Sequence, residues 1–330
     1  MLLIQVVSQI RSALSHALAF GALALGVAFS SPTWAQSFPT KPITLIVPFP
    51  AGGSVDIQAR FLSQSASKEL GQPILVVNRP GASGTLGPVS LKTAAPDGYT
   101  LTMFGGNLFR LPHLQKVNYD PLTDFTYVIR LVDFGFGITV AQNAPWKTLD
   151  DLLSYAKANP GKVTVGAVGP GAAGHVAAMQ LAKEAGVQFN YVPYKGSNES
   201  QLAVFGRHVD FAADTAFARF VSAGTLRLLA VMGETRYAKY PAVPTLKDLG
   251  YDIVASSSVG IVGPRGMEAG VVKVIHDAFR KALDDPEFKR LAEQEDLPIR
   301  YLGSTAYTEF AMEQVPKQKR IVTEMGIKLE

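Results

Sequence analysis

The sequence predicts an α/β protein built from two similar halves, each a sheet flanked by helices, and three observations carry that prediction. A β-branched apolar run from Pro42 to Val47 enters a glycine-bearing loop, a helix and a second strand at Ile74 to Val77, which is a βαβ unit. The same order returns after Lys162: strand, glycine-rich turn, helix, strand. The chain has 330 residues, 47% of them hydrophobic and 18% charged, so it can fill about two ordinary folded domains. Such units build sheets with helices on both faces.

Taken in order, residues 1–35 read as an export signal. Arg11 is their single charge, Ala17 to Phe29 is apolar, and Thr33-Trp34-Ala35 has the small-x-small pattern of a cleavage site after Ala35. The apolar stretch is shorter than the roughly 18 residues a membrane span needs. The mature chain is therefore expected in a bacterial periplasm. After the first strand comes the loop Pro48-Phe49-Pro50-Ala51-Gly52-Gly53-Ser54 and a helix carrying Ile57, Phe61, Leu62, Ala66 and Leu70, stopped by Gly71. In the second half, Val163 to Val168 is a strand and Gly169-Pro170-Gly171-Ala172-Ala173-Gly174 is its loop. The following helix, with Val176, Met179, Leu181 and Ala182, ends at Gly186, and Phe189 to Val192 is the next strand. Thr148 should cap a helix that has Asp150 and Asp151 in its first turn. Ala255 to Ser258 is a small-residue crossing before Val259 to Val262. Helices follow at Ala269 to Leu283, Pro286 to Gln294 and Ser304 to about Met325. If these pack back on the first sheet, lobe 1 is 36–138 plus 256–330, lobe 2 is 139–255, and two crossings join them.

Composition removes several function classes. The balance of 31 basic against 27 acidic residues is +4, with no Lys/Arg run, so no nucleic-acid partner is expected. Absent cysteines exclude disulfides, thiol catalysis, iron–sulfur clusters, Cys-ligated zinc and a lipid anchor on cysteine. There is no G-x-S-x-G elbow, and His113, His175, His208 and His276 show no metal spacing. No catalytic residue, metal or cofactor is assigned.

Gly169, Gly171 and Gly174 spell G-x-G-x-x-G between a strand and a helix, but no acidic residue stands at the end of the next strand, as a dinucleotide site requires. What remains is a cluster of backbone N–H groups at the positive end of a helix, a place for a small anion. Pro50-Ala51-Gly52-Gly53 has the same potential, or is merely a tight turn. Asp56 either compensates its helix dipole or meets a ligand through a donor or water. His175 either faces a ligand or bonds a nearby carbonyl, the second being preferred. Phe49, Phe104, Phe134 and Phe136 stand at strand ends and are core, unless two or more line the cleft and make room for an aromatic or long apolar ligand. Arg110 is a candidate carboxylate fork but is expected on the solvated surface.

At these residues the chain resembles a known family, the periplasmic Bug receptors of tripartite tricarboxylate transporters. KPITLIVPFPAGGSVDIQAR from Lys41, LGQPILVVNRPGASG from Leu70 and APDGYTL from Ala95 carry the likeness, with YDPLTDF from Tyr119, VPYKG from Val192 and VPTLKDLGY from Val243. The resemblance implies a two-lobed type II periplasmic binding protein, a Venus flytrap whose lobes each hold a mixed, mostly parallel sheet. It implies a carboxylate held by backbone amides and water. Membrane permease subunits are the expected partners, and a monomer is the expected form. Carried onto this chain, the first lobe offers Phe49, Ala51, Gly52, Gly53 and Asp56, the turn at Ser83 and Gly84, and Gly105, Gly106 and Asn107. The second offers Gly169, Pro170, Gly171, Ala172, Ala173, Lys195-Gly196-Ser197, Asp214 and Thr215. Ala167 and Ala172 replace hydroxyl residues of the family, and Ser258 replaces a tryptophan, so a larger pocket is expected, for an aromatic or longer aliphatic dicarboxylate. The expected function is capture of a small carboxylate by lobe closure and delivery to a permease. The alternatives are a sensor serving a signalling partner, or an exported ester hydrolase using Ser83 or Ser197.

Overall fold

Strand β1 (Ile43–Val47) is buried except at Thr44, as an apolar run between covered faces should be. The computed structural model describes residues 38–295 and 297–326, so the expected export signal lies outside the described residues. From β1 the chain enters helix α1 (Ser54–Leu70), which ends where Gly71 adopts φ 64. Strand β2 (Ile74–Asn78) then pairs parallel with β1, Ile43 opposite Ile74. A short helix α2 (Leu86–Leu91) leads to β3 (Thr100–Gly105), parallel to β1 on its other side. Strand β4 (Phe125–Gly135) runs through Phe136 into β5 (Gly137–Ala141) and thereby leaves the first sheet for the second.

The second sheet repeats the scheme. Helix α3 (Leu149–Ala158) begins with the expected Thr148 cap, which forms a reciprocal capping box with Asp151. Strand β6 (Val163–Val168), helix α4 (Ala173–Ala185) and β7 (Phe189–Tyr194) form the second βαβ unit, and Gly186 stops α4 at φ 65. Helix α5 (Ser197–Phe205), β8 (Phe211–Asp214), α6 (Ala218–Ser222) and β9 (Leu226–Val231) complete this sheet. The chain returns through β10 (Ser256–Pro264), followed by α7 (Ala269–Asp284), α8 (Pro286–Glu295), β11 (Ile299–Gly303) and α9 (Ser304–Met325).

The sheet orders are β11-β4-β10-β3-β1-β2 and β7-β6-β8-β5-β9. Laid side by side, β2-β1-β3-β10 of one matches β7-β6-β8-β5 of the other, so the two halves share an architecture. Parallel pairing is confined to β1, β2 and β3 and to β6, β7 and β8. Strands β10 and β5 pair antiparallel with both neighbours. The sheets are thus more evenly mixed than the expected mostly parallel arrangement. The reason is the crossing itself: β4 leaves for the other sheet while β10 comes back, and neighbours running opposite ways must pair antiparallel. Beneath the first sheet, Phe104, Phe109, Phe125, Tyr127 and Tyr307 form an aromatic core. Phe104 is therefore core, as its ordinary reading had it.

Candidate ligand-binding site

The loops that follow β1, β6 and β7 lie at the carboxyl ends of their strands, where open α/β sheets place ligands. They open into a cavity of about 130 Å³ between the sheets. From the first half its wall takes Phe49, Pro50, Ala51, Gly53, Ser54 and Val55, then Ser83, Gly105, Asn107, Phe134, Ser257 and Val259. From the second it takes Phe136, Val168, Gly169, Ala172, Ala173, Gly196, Ser197, Asn198, Glu199, Asp214 and Thr215. First-turn residues of α1, α4 and α5 all stand on this wall, so three helix N-termini, each with unpaired N–H groups and a partial positive charge, converge there. Among the described residues no Lys or Arg lines it.

Each loop is braced from behind. Asp56, 2% exposed, accepts from Gly52 N (2.8 Å), Asn78 Nδ2 (2.8 Å) and Arg60 Nε (3.0 Å), and pairs with the Arg60 guanidinium. Burial pushes its carboxyl up, but the hydrogen bonds from Arg60, Gly52 and Asn78 and the Arg60 charge together hold it below the usual carboxylate range. All its lone pairs face the protein, so Asp56 shapes the loop and is not on the cavity wall. His175 does the same for the second loop. Its Nδ1 accepts from Gly171 N at 3.1 Å, its ring lies 4.0 Å from that of Tyr191, and it too is off the wall. The preferred reading gave it a carbonyl partner; it has an amide instead, which requires an unprotonated Nδ1. Burial, helped by the Arg110 charge, lowers its pKa to about 4. Gly174 permits the close seating of α4 on β8, because a Cβ there would fall 1.8 Å from the Ala213 carbonyl oxygen.

Asp214 organises the second-half end. Oδ1 accepts from Ser197 Oγ (2.8 Å) and Thr215 N (2.8 Å), while Oδ2 accepts from Ser200 Oγ (2.8 Å) and Val168 N (3.0 Å). Burial pushes this carboxyl up, and those four donors partly offset the effect. Thr215 Oγ1 in turn donates to Ser197 Oγ at 2.8 Å. Two polar atoms of the wall residues are buried without a partner, Ser54 Oγ and Asn198 Oδ1.

Several contacts join the halves around the cavity. Asn198 Nδ2 donates to Gly52 O at 2.6 Å, and Ser83 Oγ approaches Pro170 O at 3.5 Å. Arg110 donates from Nη1 to Gly171 O (3.1 Å) and from Nε to Gln318 Oε1 of α9 (2.7 Å). It is 6% exposed, and burial lowers its pKa to about 10. The expected solvated surface residue is thus a buried bridge between the second glycine loop and the C-terminal helix.

Of the residues singled out from sequence, Phe49, Ala51, Gly53, Ser83, Gly105, Asn107, Gly169, Ala172, Ala173, Asp214 and Thr215 line the cavity. Gly52, Asp56, Gly84, Gly106, Pro170, Gly171, His175, Lys195 and Ser258 do not. Gly84 packs behind the Phe49 ring, Lys195 is exposed, and Gly106 abuts the backbone of Ser258. Ser258 faces a separate groove of about 1100 Å³ with Gly106 and Arg110, because successive strand residues point to opposite faces. Ser257 and Val259 are the cavity-facing pair. Their parity could have been counted from the strand, but its register could not. That larger groove is not preferred as the site. Several of its charged residues are committed to ion pairs such as Arg130–Asp133 and Lys247–Glu234, and more of the glycine-loop residues line the smaller cavity. The cavity is not the enlarged one that the small residues Ala167, Ala172 and Ser258 led us to expect. Ala167 is fully buried in its strand, Ser258 faces away, and Phe49, Phe134 and Phe136 stand on the wall. Ser54, Val55, Val168, Asn198, Glu199, Ser257 and Val259 were missed. For Ser54 and Asn198 the signal was available, since both sit in the first turn after a glycine.

The family described as "Tripartite tricarboxylate transporter family receptor" matches residues 58–327. The "UPF0065 protein in gbd 5'region" of Cupriavidus necator is 45% identical over 307 residues, which is 92% of this chain and 94% of that protein. The periplasmic binding protein BugD has a structure with a TM-score of 0.84 at 28% identity, covering 89% of this chain and all of its own. Rpa4515 of R. palustris, solved with adipate, gives 0.83 at 26% identity over 88% and 99%. MatC of Rhodopseudomonas palustris, solved with bound malate, gives 0.81 at 25% over 86% and 100%. A two-lobed α/β fold, paired glycine loops facing one cavity, and a match over most of the chain make this protein a member of the TctC family of tripartite tricarboxylate transporter receptors.

Proposed function

We propose that this receptor captures a small carboxylate by closing its two lobes, 36–138 plus 256–330 against 139–255, and delivers it to a tripartite-type membrane permease. The observation that carries the reading is the convergence of the α1, α4 and α5 N-termini on one cavity. A carboxylate completes those donors. Hydrogen bonds to a charged group contribute about 1.5–3 kcal/mol each. Micromolar binding needs about 8 kcal/mol, so four to six such bonds reach it after ordering costs. Malate and adipate, the acids in two structural neighbours, set the scale of ligand and make dicarboxylates the reference members of the class. Closure turns on Gly135-Phe136-Gly137 and on Ala255-Ser256, where the chain changes sheets, and Asn198 to Gly52 is its latch.

The hydrolase alternative loses support from the serines themselves. Ser197 Oγ is engaged with Asp214 and Thr215, and Ser83 Oγ with Pro170 O, so neither has a histidine base. The test is calorimetry of the mature protein against mono-, di-, tri- and aromatic carboxylates, paired with small-angle scattering. One acid should bind at a 1:1 ratio with micromolar or tighter affinity and keep the particle compact. Absence of binding by every acid would refute the reading.

A further inference from the structure

We propose a second binding site, for a small oxyanion with a carboxylate or phosphate head, in the large groove that Ser258 faces, with Arg110 and Ser258 as its anchors. It is separate from the cavity of the receptor reading above and does not depend on that reading.

Arg110 is a buried cation without a counter-charge. It is 6% exposed, and among the described residues no carboxylate pairs with it. Both of its acceptors are neutral: Gly171 O takes one N–H of Nη1, and Gln318 Oε1 takes that of Nε. A guanidinium carries five N–H groups, so Nη2 and its two protons have no partner among the described residues. Nor is Nη2 one of the polar atoms sealed off from solvent without a partner, as Arg130 Nε is. Its open side faces the groove, whose wall Arg110 joins. Burying a charge is costly unless it is paired, and two neutral acceptors cover only part of that cost. The neighbourhood adds to the positive charge. The field of Arg110 reaches His175 in the first turn of α4, so the positive end of that helix lies close by.

Ser258 supplies the second anchor. It is 7% exposed and lines the same groove; no protein group engages its hydroxyl, which is likewise not sealed off. Gly106 brings the two anchors together. It opens the short helical turn Gly106–Phe109 that leads into Arg110, and a Cβ on it would stand 3.4 Å from Ser258 Oγ. Asp133 lies opposite Ser258 across the strand pair, but its carboxylate is neutralised by Arg130 at 2.5 Å. Over the whole groove, seven Lys or Arg side chains face four Asp or Glu among the described lining residues. A planar fork of N–H groups beside a free hydroxyl is the donor set for a carboxylate or phosphate head, which takes two parallel bonds from the guanidinium and a third from the serine.

The test is proton–nitrogen correlation NMR of the protein titrated separately with inorganic phosphate, acetate and citrate at constant ionic strength, with chloride as the reference anion. At least one oxyanion should shift the Arg110 Nε–H and Ser258 amide signals to saturation, with a dissociation constant of about 1 mM or lower. The phosphate and carboxylate arms tell which head the site prefers. Shifts confined to the glycine loops at Gly53 and Gly196, a drift without saturation, or an equal response to chloride overturns the inference. Arg110→Lys keeps the charge but loses the fork and should weaken the binding by about tenfold or more, and Ser258→Ala by about threefold or more. Melting temperature is the folding control, and an unchanged affinity in either folded variant also overturns it. Carboxylate capture in the smaller cavity is read independently by the calorimetric acid panel, so the two can fail separately.

Discussion

Acidification should unfasten the second glycine loop through His175. Its Nδ1 must stay unprotonated to accept the Gly171 N–H, and in the fold its pKa falls from the ordinary 6.5 to about 4. Between those values the unfolded chain binds a proton that the native state refuses. Stability therefore falls as pH drops through 6.5 and the loss levels off below about 4. At pH 4 the penalty is RT times the logarithm of the ratio of the two binding polynomials, about 3 kcal/mol. The clean perturbation is His175→Asn, whose side-chain carbonyl can accept the same N–H without titrating. Urea unfolding of both proteins at pH 7.5, 6, 5 and 4 gives the difference curve, in which His113 and the carboxylates cancel. The wild type should lose about 3 kcal/mol relative to the variant between pH 7.5 and 4. A difference curve flat to within about 0.5 kcal/mol would refute the buried, neutral histidine and the loop geometry built on it.

Gly174→Ala should cost more than about 2 kcal/mol in urea unfolding, since its Cβ would overlap the Ala213 carbonyl and must lift α4 from β8. Asp56→Asn should cost about 1–3 kcal/mol at pH 7, as an amide cannot accept from Gly52, Asn78 and Arg60 together. That difference from wild type should shrink as pH falls below 3.8, where the unfolded chain takes up the proton that the depressed native carboxyl still refuses. Arg110→Met should weaken ligand binding and raise the radius of gyration of the unliganded protein, because the bridge to Gly171 O is lost.

Much of this protein was legible along the chain. The strands β1 and β6, the helix stops at Gly71 and Gly186 and the Thr148 cap are local features, dictated by side-chain periodicity and by residues that tolerate or forbid a backbone conformation. The two glycine loops, and the anion preference of the helix ends behind them, follow from the same local chemistry. The motifs also announced the receptor family.

What the chain could not reveal was direction. Asp56 and His175 were each open to a ligand role or a structural one, and both turn inward to hold a loop, while Arg110, expected in solvent, is a buried bridge. Ser258 was chosen where Ser257 and Val259 face the cavity, a one-residue error of strand parity. Sequence determined which elements form and which loops carry free amides, because those depend on neighbours within a few residues. Tertiary structure alone decided which face each side chain presents and which way each hydroxyl proton points. Those depend on partners such as Asp214 and Ser197, or Asn198 and Gly52, that meet only when the sheets come together.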